Sequence, residues 1–452
     1  MLARMSMAGC RALTSVIVPI YLAKIGFSGV MLGALFAATA VISGIFTSGI
    51  GILSDRVGRK IFIVGVPLIT AGAALVFLFT RSIPLIFAFS MIGTFGRGTG
   101  ATGGSIGPYV PAEQAYITRR VESSHRNAVF SRLAFVTSLG AIFGNIFGII
   151  PAISSHVGLS GLNTYLPAFV VMAFLSGVAG LLAMPIANPP SERRVVTKER
   201  RGRNPFNLSR ESWSTVIKLW IANVPNGFAI GFIGPFLTYW FFKRYGAGPG
   251  TIGILYTAIN IGTLGVILCA APVARRIGLV RAVVIGRMMQ GLLLIPMVLS
   301  PTFAIAGVVY FVRMCFSRLS LPLRQSFIMS IVRDDERGTV GGVANLPNQG
   351  VSAISPTVAG YIFDNISLAL PFIIGGIFQM VNATFFWIFF HALRPPEEET
   401  VVPEAPLEAV ATASANGSAE PEPLHPEPEG ISAQRRRARE EAEAHSHAAD
   451  EG

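Results

Sequence analysis

The chain has 452 residues, of which 52% are hydrophobic and 13% charged, with a mean hydropathy of +0.58. A soluble chain is usually about a quarter charged, so this one cannot cover itself with a solvated surface, and lipid must be the solvent for much of it. The net charge of +12 divides into +21 over residues 1–391 and −9 beyond them. The basic residues sit between apolar runs, which argues for membrane topology and against nucleic acid as a partner.

Apolar runs of bilayer-crossing length recur along the chain. Spans are expected at 4–24, 29–52, 61–80, 83–116, 128–150, 164–187, 213–240, 249–271, 280–299, 302–331, 340–363 and 369–391. The first run follows Arg4 and Arg11 and leads straight into the second, so it reads as a membrane helix rather than a cleaved leader. Arg56, Arg59 and Lys60 follow span two, and Arg119, Arg120 and Arg126 follow span four. The basic segment SERRVVTKERRGRNPFNLSR (191–210) follows span six, Arg275, Arg276 and Arg281 follow span eight, and Arg333 and Arg337 follow span ten. The other side carries Lys24, Arg81, Lys243 and Arg244. This asymmetry places both termini in the cytoplasm of a multi-pass protein of the cytoplasmic membrane. The expected organisation is a six-helix bundle (1–187), a basic cytoplasmic linker (188–212), a second bundle (213–391) and a disordered acidic cytoplasmic tail (392–452) rich in Pro, Glu, Ala and Ser.

The halves are related in sequence. PAEQAYITRRVESSHR (111–126) aligns without a gap to PLRQSFIMSIVRDDER (322–337), pairing Pro111 with Pro322, Gln114 with Gln325 and Arg126 with Arg337. GILSDRVGRK (51–60) aligns to APVARRIGLV (271–280). Internal duplication of helical units is a transporter feature, with the solute site where the repeats meet.

GILSDRVGRK resembles the signature loop of the major facilitator superfamily at every defined position, and the resemblance covers about residues 1–391. It implies an all-α integral membrane fold of twelve helices in two pseudo-symmetric bundles, a central cavity lined by spans one, four, seven and ten, and alternating access. Gly51 allows close helix approach, and Gly58 allows a tight turn. Asp55 suits the N-terminus of span eleven near Gly338–Gly342, while Arg56, Arg59 and Lys60 hold the loop at the headgroups. Together they would latch the cytoplasmic side shut. In span five, GAIFGNIFGI (140–149) resembles the pattern of proton-driven drug exporters, with Asn145 and Ile149 departing from it.

An arginine inside a span needs a partner, a wet cavity or a function. Arg97, in the glycine-rich run GRGTGATGGSIG (96–107), and Arg313 are therefore cavity candidates, able to receive a carboxylate or phosphate. Asn223, Pro225, Asn226 and Gly227 are expected to break or bend span seven; because the resemblance makes that span line the cavity, Asn223 and Asn226 are candidate solute contacts, and Asn260 and Asn345 are weaker ones. Glu113 is the carboxylate best placed within a span, and duplication sets Arg324 opposite it, so the two form a candidate coupling or gate pair. No nucleotide motif, metal spacing or catalytic constellation stands out. The expectation is a non-enzymatic secondary transporter, a monomer without cofactor or metal, energised by a gradient and with protons as a candidate co-substrate. Efflux of a hydrophobic solute comes first, uptake or exchange of an organic anion second, and a non-transporting sensor or scaffold third.

Overall fold

The structure, a computed structural model, describes residues 1–95, 108, 110–120, 123–186, 208–332, 336, 340 and 343–392. Within helices, the trace alone is described at 48, 51–57, 111, 115, 118–120, 123–128, 268, 271 and 329. The linker at 188–207 and the tail from 393 lie outside the described residues.

Inside hydrocarbon every backbone polar group must be bonded within the chain, and helices do this locally. The described elements are accordingly helical throughout. In the first half these are α1 (Leu2–Ile25), α2 (Gly29–Val57), α3 (Arg59–Phe79), α4 (Ile83–Ile92), α5 (Val110–Arg120), α6 (Ser123–Ile146), α7 (Ile150–His156) and α8 (Leu166–Ala183). The second half has α9 (Arg210–Ile233), α10 (Leu237–Tyr245), α11 (Pro249–Leu268), α12 (Ala270–Ile277), α13 (Leu279–Leu292), α14 (Leu294–Leu299), α15 (Phe303–Ser330), α16 (Leu346–Asn365) and α17 (Leu370–Phe390). Ten helical segments are long and apolar enough to cross a membrane. Of the twelve expected spans, the fourth is represented by α4 and α5 on either side of the glycine-rich run. The eleventh is α16, which is made less apolar by Asn348, Gln349, Ser352 and Ser355.

One expectation of local structure is corrected. Span seven does not break at 223–227, because α9 runs through Pro225. It breaks at Gly234–Phe236, where Gly234 and Pro235 interrupt the helix before α10. A proline removes a single backbone bond, and neighbouring groups can absorb that loss within a bundle. The combination of Gly and Pro ends the helix outright. At the start of span eleven, Val340 and Val343 are helical, and a turn at Ala344 and Asn345 leads into α16, with Pro347 in its first turn.

The duplication is visible in the backbone. Gly58, between α2 and α3, has φ 106 and ψ 140. Gly278, its counterpart between α12 and α13, has φ 88 and ψ 149. That conformation is essentially reserved for glycine, so both copies of the signature loop make the same glycine-dependent turn.

Helix contacts within and between halves use bare backbone. A Cβ on Gly144 of α6 would collide with the backbone of Gly9 on α1. Gly140 and Gly144 of span five are thus consumed by packing within the first half. Between halves, α2 meets α16, α6 meets α11, and α1 meets α10. A Cβ on Gly33 would strike the Pro356 carbonyl, and one on Gly360 would strike that of Gly29. Gly148 likewise faces Pro249, and Gly253 faces Asn145.

Candidate solute site and gate

At the end of the bundle carrying the α1–α2 turn, the chain joins its halves by a charged cap. The carboxylate of Asp364, in the last turn of α16, accepts hydrogen bonds from the backbone N–H of Gly29 (2.7 Å) and Val30 (2.8 Å). These are orphan donors at the start of α2, where the helix dipole favours an anion. Deeper in the bundle, the Thr238 hydroxyl donates to the Ser15 carbonyl across the α1–α10 contact (3.0 Å). This end is therefore closed by the Asp364 bonds as well as by glycine-mediated contact.

A polar network fills the second half. Asn223 of α9 accepts from Arg324 of α15 at 2.7 Å and donates to the Ala344 carbonyl at 2.8 Å. One turn on, Asn226 accepts from Arg287 of α13 at 2.8 Å and donates to the side-chain oxygen of Asn348 on α16 at 2.8 Å. Arg287 also donates to Asn382 of α17, which donates to the Ala222 carbonyl at 2.6 Å. Trp220 bonds the Val343 carbonyl (2.9 Å). Four helices of the half thus converge on α9. Arg287 is 6% exposed and Arg324 7%, so both guanidinium groups are withdrawn from solvent, and the acceptors described above are neutral amide oxygens.

The sequence-predicted residues fare differently. Arg313 is buried, but its Nε donates to the Gln290 carbonyl at 3.0 Å and its guanidinium lies over the Tyr310 ring. Asn260 is buried and turns back to the Tyr256 carbonyl of its own helix (2.8 Å). Asn345 precedes α16, half-buried. The structure does not bring Glu113 and Arg324 together. Glu113 forms an ion pair with Arg4 of α1, whose Nε also reaches the Thr137 hydroxyl at 2.9 Å. The physical reason is local: an arginine on the adjoining helix of the same half neutralises the carboxylate, and Arg324 is engaged by Asn223. Arg97 lies outside the described residues. Gly51, Asp55 and Arg56 lie in α2 where only the trace is described, and the expected partner of Asp55 near Gly338–Gly342 lies outside the described residues apart from Val340. Gly58 makes the turn described above, Arg59 is buried at the start of α3, and Lys60 is half-buried.

Sequence reasoning missed Arg287, although a signal was present. Between Glu211 and Asp334 the chain contains no Asp or Glu, yet it places Arg287, Arg313, Arg318 and Arg324 inside spans nine and ten. Arg11 of α1 is buried, with Nη1 donating to the carbonyls of Gly93 (3.1 Å) and Thr94 (2.6 Å) at the end of α4.

Comparison with known proteins agrees with this architecture. The Major Facilitator Superfamily matches residues 1–218 and again 219–438. The chain belongs to that superfamily. It is 20% identical over 351 residues to an uncharacterized membrane protein of Saccharomyces cerevisiae, covering 70% of this chain and 76% of that one. Its fold resembles a bacterial homologue of the human lysosomal transporter Spinster (TM-score 0.62, 13% identity, 86% of this chain and 94% of that one). It also resembles the nucleoside transporter NupG (0.62, 14%, 86% and 98%) and the human organic anion transporter MFSD10 (0.57, 14%, 85% and 98%). The molecule is a multi-pass helical membrane protein of a transporter family.

Proposed function

We propose that the protein is a secondary transporter that moves a small organic solute across the cytoplasmic membrane by alternating access, with both termini in the cytoplasm. The observation that carries the reading is the seam between the halves. The α2–α16 and α6–α11 contacts are glycine against backbone, with the Asp364 cap at one end. Smooth surfaces of this kind let two bundles rock about a central site without unlocking interdigitated side chains. With cytoplasmic termini, the closed end faces outward.

Proton-driven efflux is the less supported reading. Gly140 and Gly144 of span five pack α6 on α1 within one half, and the carboxylate expected to carry protons is tied to Arg4. Uptake or exchange of an organic anion is favoured by the arginines of the second half and their neutral acceptors. The test is flux in proteoliposomes against a panel of organic anions, apolar compounds and neutral solutes, with and without an imposed pH gradient. Gradient- or exchange-driven flux of one class supports the reading. Loss of the pH effect in Glu113→Gln assigns that residue a proton role. No flux of any class would leave the sensor or scaffold as the better account.

A further inference from the structure

We infer that Arg287 and Arg324, presented by Asn226 and Asn223, form an oxyanion site that takes the carboxylate or phosphate group of a small organic solute. The inference rests on the transporter reading and names its solute class. Four observations carry it.

The first concerns charge. Arg287 and Arg324 lie close enough to repel one another, and neither has a carboxylate partner among the described residues. The sequence from 212 to 333 supplies none. A buried cation is normally paired or put to use. The second concerns hydrogen bonding. A guanidinium offers five N–H donors in a planar fork. In Arg287 the Nη1 atom serves both Asn226 and Asn382, while the buried Nε has no acceptor. A planar two-oxygen anion matches such a fork and a neutral amide oxygen does not. The third concerns the asparagines. Each spends its one oxygen on an arginine and its N–H on helix α16 or on the turn before it. An asparagine in this role is a placeholder whose oxygen an anion can replace. The fourth concerns what the replacement would release. Asn223 and Asn226 tie α9 to Ala344 and Asn348 at the start of α16, and the far end of α16 carries Asp364 on α2. An anion that draws the two guanidinium groups away would release the asparagine oxygens whose bonds to arginine hold each amide in the orientation that reaches α16 and the turn before it, and α16 is the helix that forms the seam between halves.

The spacing agrees with a route into the membrane. On α15 the eleven residues from Arg324 to Arg313 span about 16 Å at helical rise. Cationic groups therefore extend from near one end of the span toward its middle, as an entry path for an anion requires.

The experiment uses the full chain in nanodiscs of zwitterionic lipid. Thermal unfolding is followed against mono- and dicarboxylates, sugar phosphates, and neutral isosteres of each at constant ionic strength. The expected result is a saturable rise in Tm with one anion class and none with its neutral isostere. In Arg287→Gln and Arg324→Gln the half-saturating concentration should rise at least tenfold, while Arg81→Gln, at the far rim, should match the parent. Arg287→Lys keeps the charge without the fork and should weaken binding by a smaller factor. Asn226→Asp supplies an internal carboxylate. It should raise the Tm of the unliganded protein and abolish the response to anions, a result that does not depend on Arg287→Gln folding. Nanodiscs with anionic lipid separate a headgroup from a free solute. If only anionic lipid stabilises the protein, and Arg287→Gln removes that effect, the solute assignment fails. It also fails if Asn226→Asp destabilises the protein or if no anion outperforms its isostere. Gradient-driven flux of a neutral solute alongside such a failure would overturn this site and leave the transporter reading intact.

Discussion

Asp364 holds the N-terminus of α2 through two backbone N–H groups, at 2.7 and 2.8 Å, from the opposite half of the molecule. Asp364→Asn keeps one acceptor oxygen but removes the charge that the helix terminus favours. Hydrogen bonds to a charged group contribute about 1.5–3 kcal/mol, and an anion at a helix N-terminus about 0.3–1 kcal/mol. Asp364 is exposed, so solvent screening places the loss at the low end, about 1 kcal/mol. Every 1.4 kcal/mol is about tenfold in an equilibrium, so the ratio of closed to open states at this end should fall about fivefold. Asp364→Ala loses both acceptors, about 2 kcal/mol, and should shift the ratio about thirtyfold. The assay is the spin-label distance between Lys24→Cys and Lys243→Cys, at exposed positions on the two halves near this end, in a background without Cys10, Cys269 and Cys315. The parent should give a predominantly short distance. Asp364→Asn should add a longer component, and its difference from the parent should shrink at high salt, where the dipole interaction is screened in the parent as well. Identical distance distributions in parent and Asp364→Ala would refute the reasoning, leaving the glycine contacts to close this end unaided.

The Arg4–Glu113 pair, with each side chain 14% exposed, should behave as a partly buried unit. Arg4→Gln or Glu113→Gln alone should cost about 3 kcal/mol by stranding the partner, while the double substitution should cost clearly less than the two together in a thermal-unfolding cycle. Additive losses would show that the pair is not coupled. Gly58→Ala and Gly278→Ala force a side chain into backbone reserved for glycine and should each lose about 1–3 kcal/mol. Gly72→Ala, with open space around its Cβ position, should leave the Tm unchanged or slightly raised, and equal effects at all three positions would remove the backbone argument. Gly144→Leu should abolish a monodisperse peak in size exclusion, because Gly9 leaves no room for any side chain, whereas Gly177→Leu should be tolerated.

The helices were legible because bilayer solvation writes itself into composition: a run of apolar residues of the right length permits little else. Gly58 and its counterpart Gly278 were legible for a related reason, since a glycine-only turn forces one residue type. The polar sites were harder to read. The bend in span seven was expected at Asn223–Gly227 because polar residues and a proline fall there, but the asparagines are satisfied by side chains and carbonyls of α13, α15 and α16, so α9 has no need to open. Bonds made between helices far apart in sequence leave no local pattern. Arg287 illustrates the same point. Its significance lies in the absence of any acid from 212 to 333, a property of a whole half that scanning for motifs does not register.

The expected pair Glu113 and Arg324 shows where reasoning from duplication stops. Duplication places the two residues at equivalent positions of the two halves, and equivalent positions related by a pseudo-two-fold axis need not touch. What the equivalence does establish is divergence: the same position holds an acid in one half and a cation in the other. The acid has acquired Arg4 from the adjoining helix and is neutralised in place. The cation has acquired Asn223, which orients it and leaves its charge intact. Arg287, on span nine, repeats that choice with Asn226 and Asn382. At this duplicated position one half therefore closes its charge internally, and the other keeps a cation whose acceptors are neutral. A scaffold would have no reason to maintain that imbalance within a membrane, where each unpaired charge is expensive. A transporter has one, because an unneutralised arginine fork can gain affinity for an anion that enters, and in the proposed mechanism α16 would pass that gain to the seam between the halves.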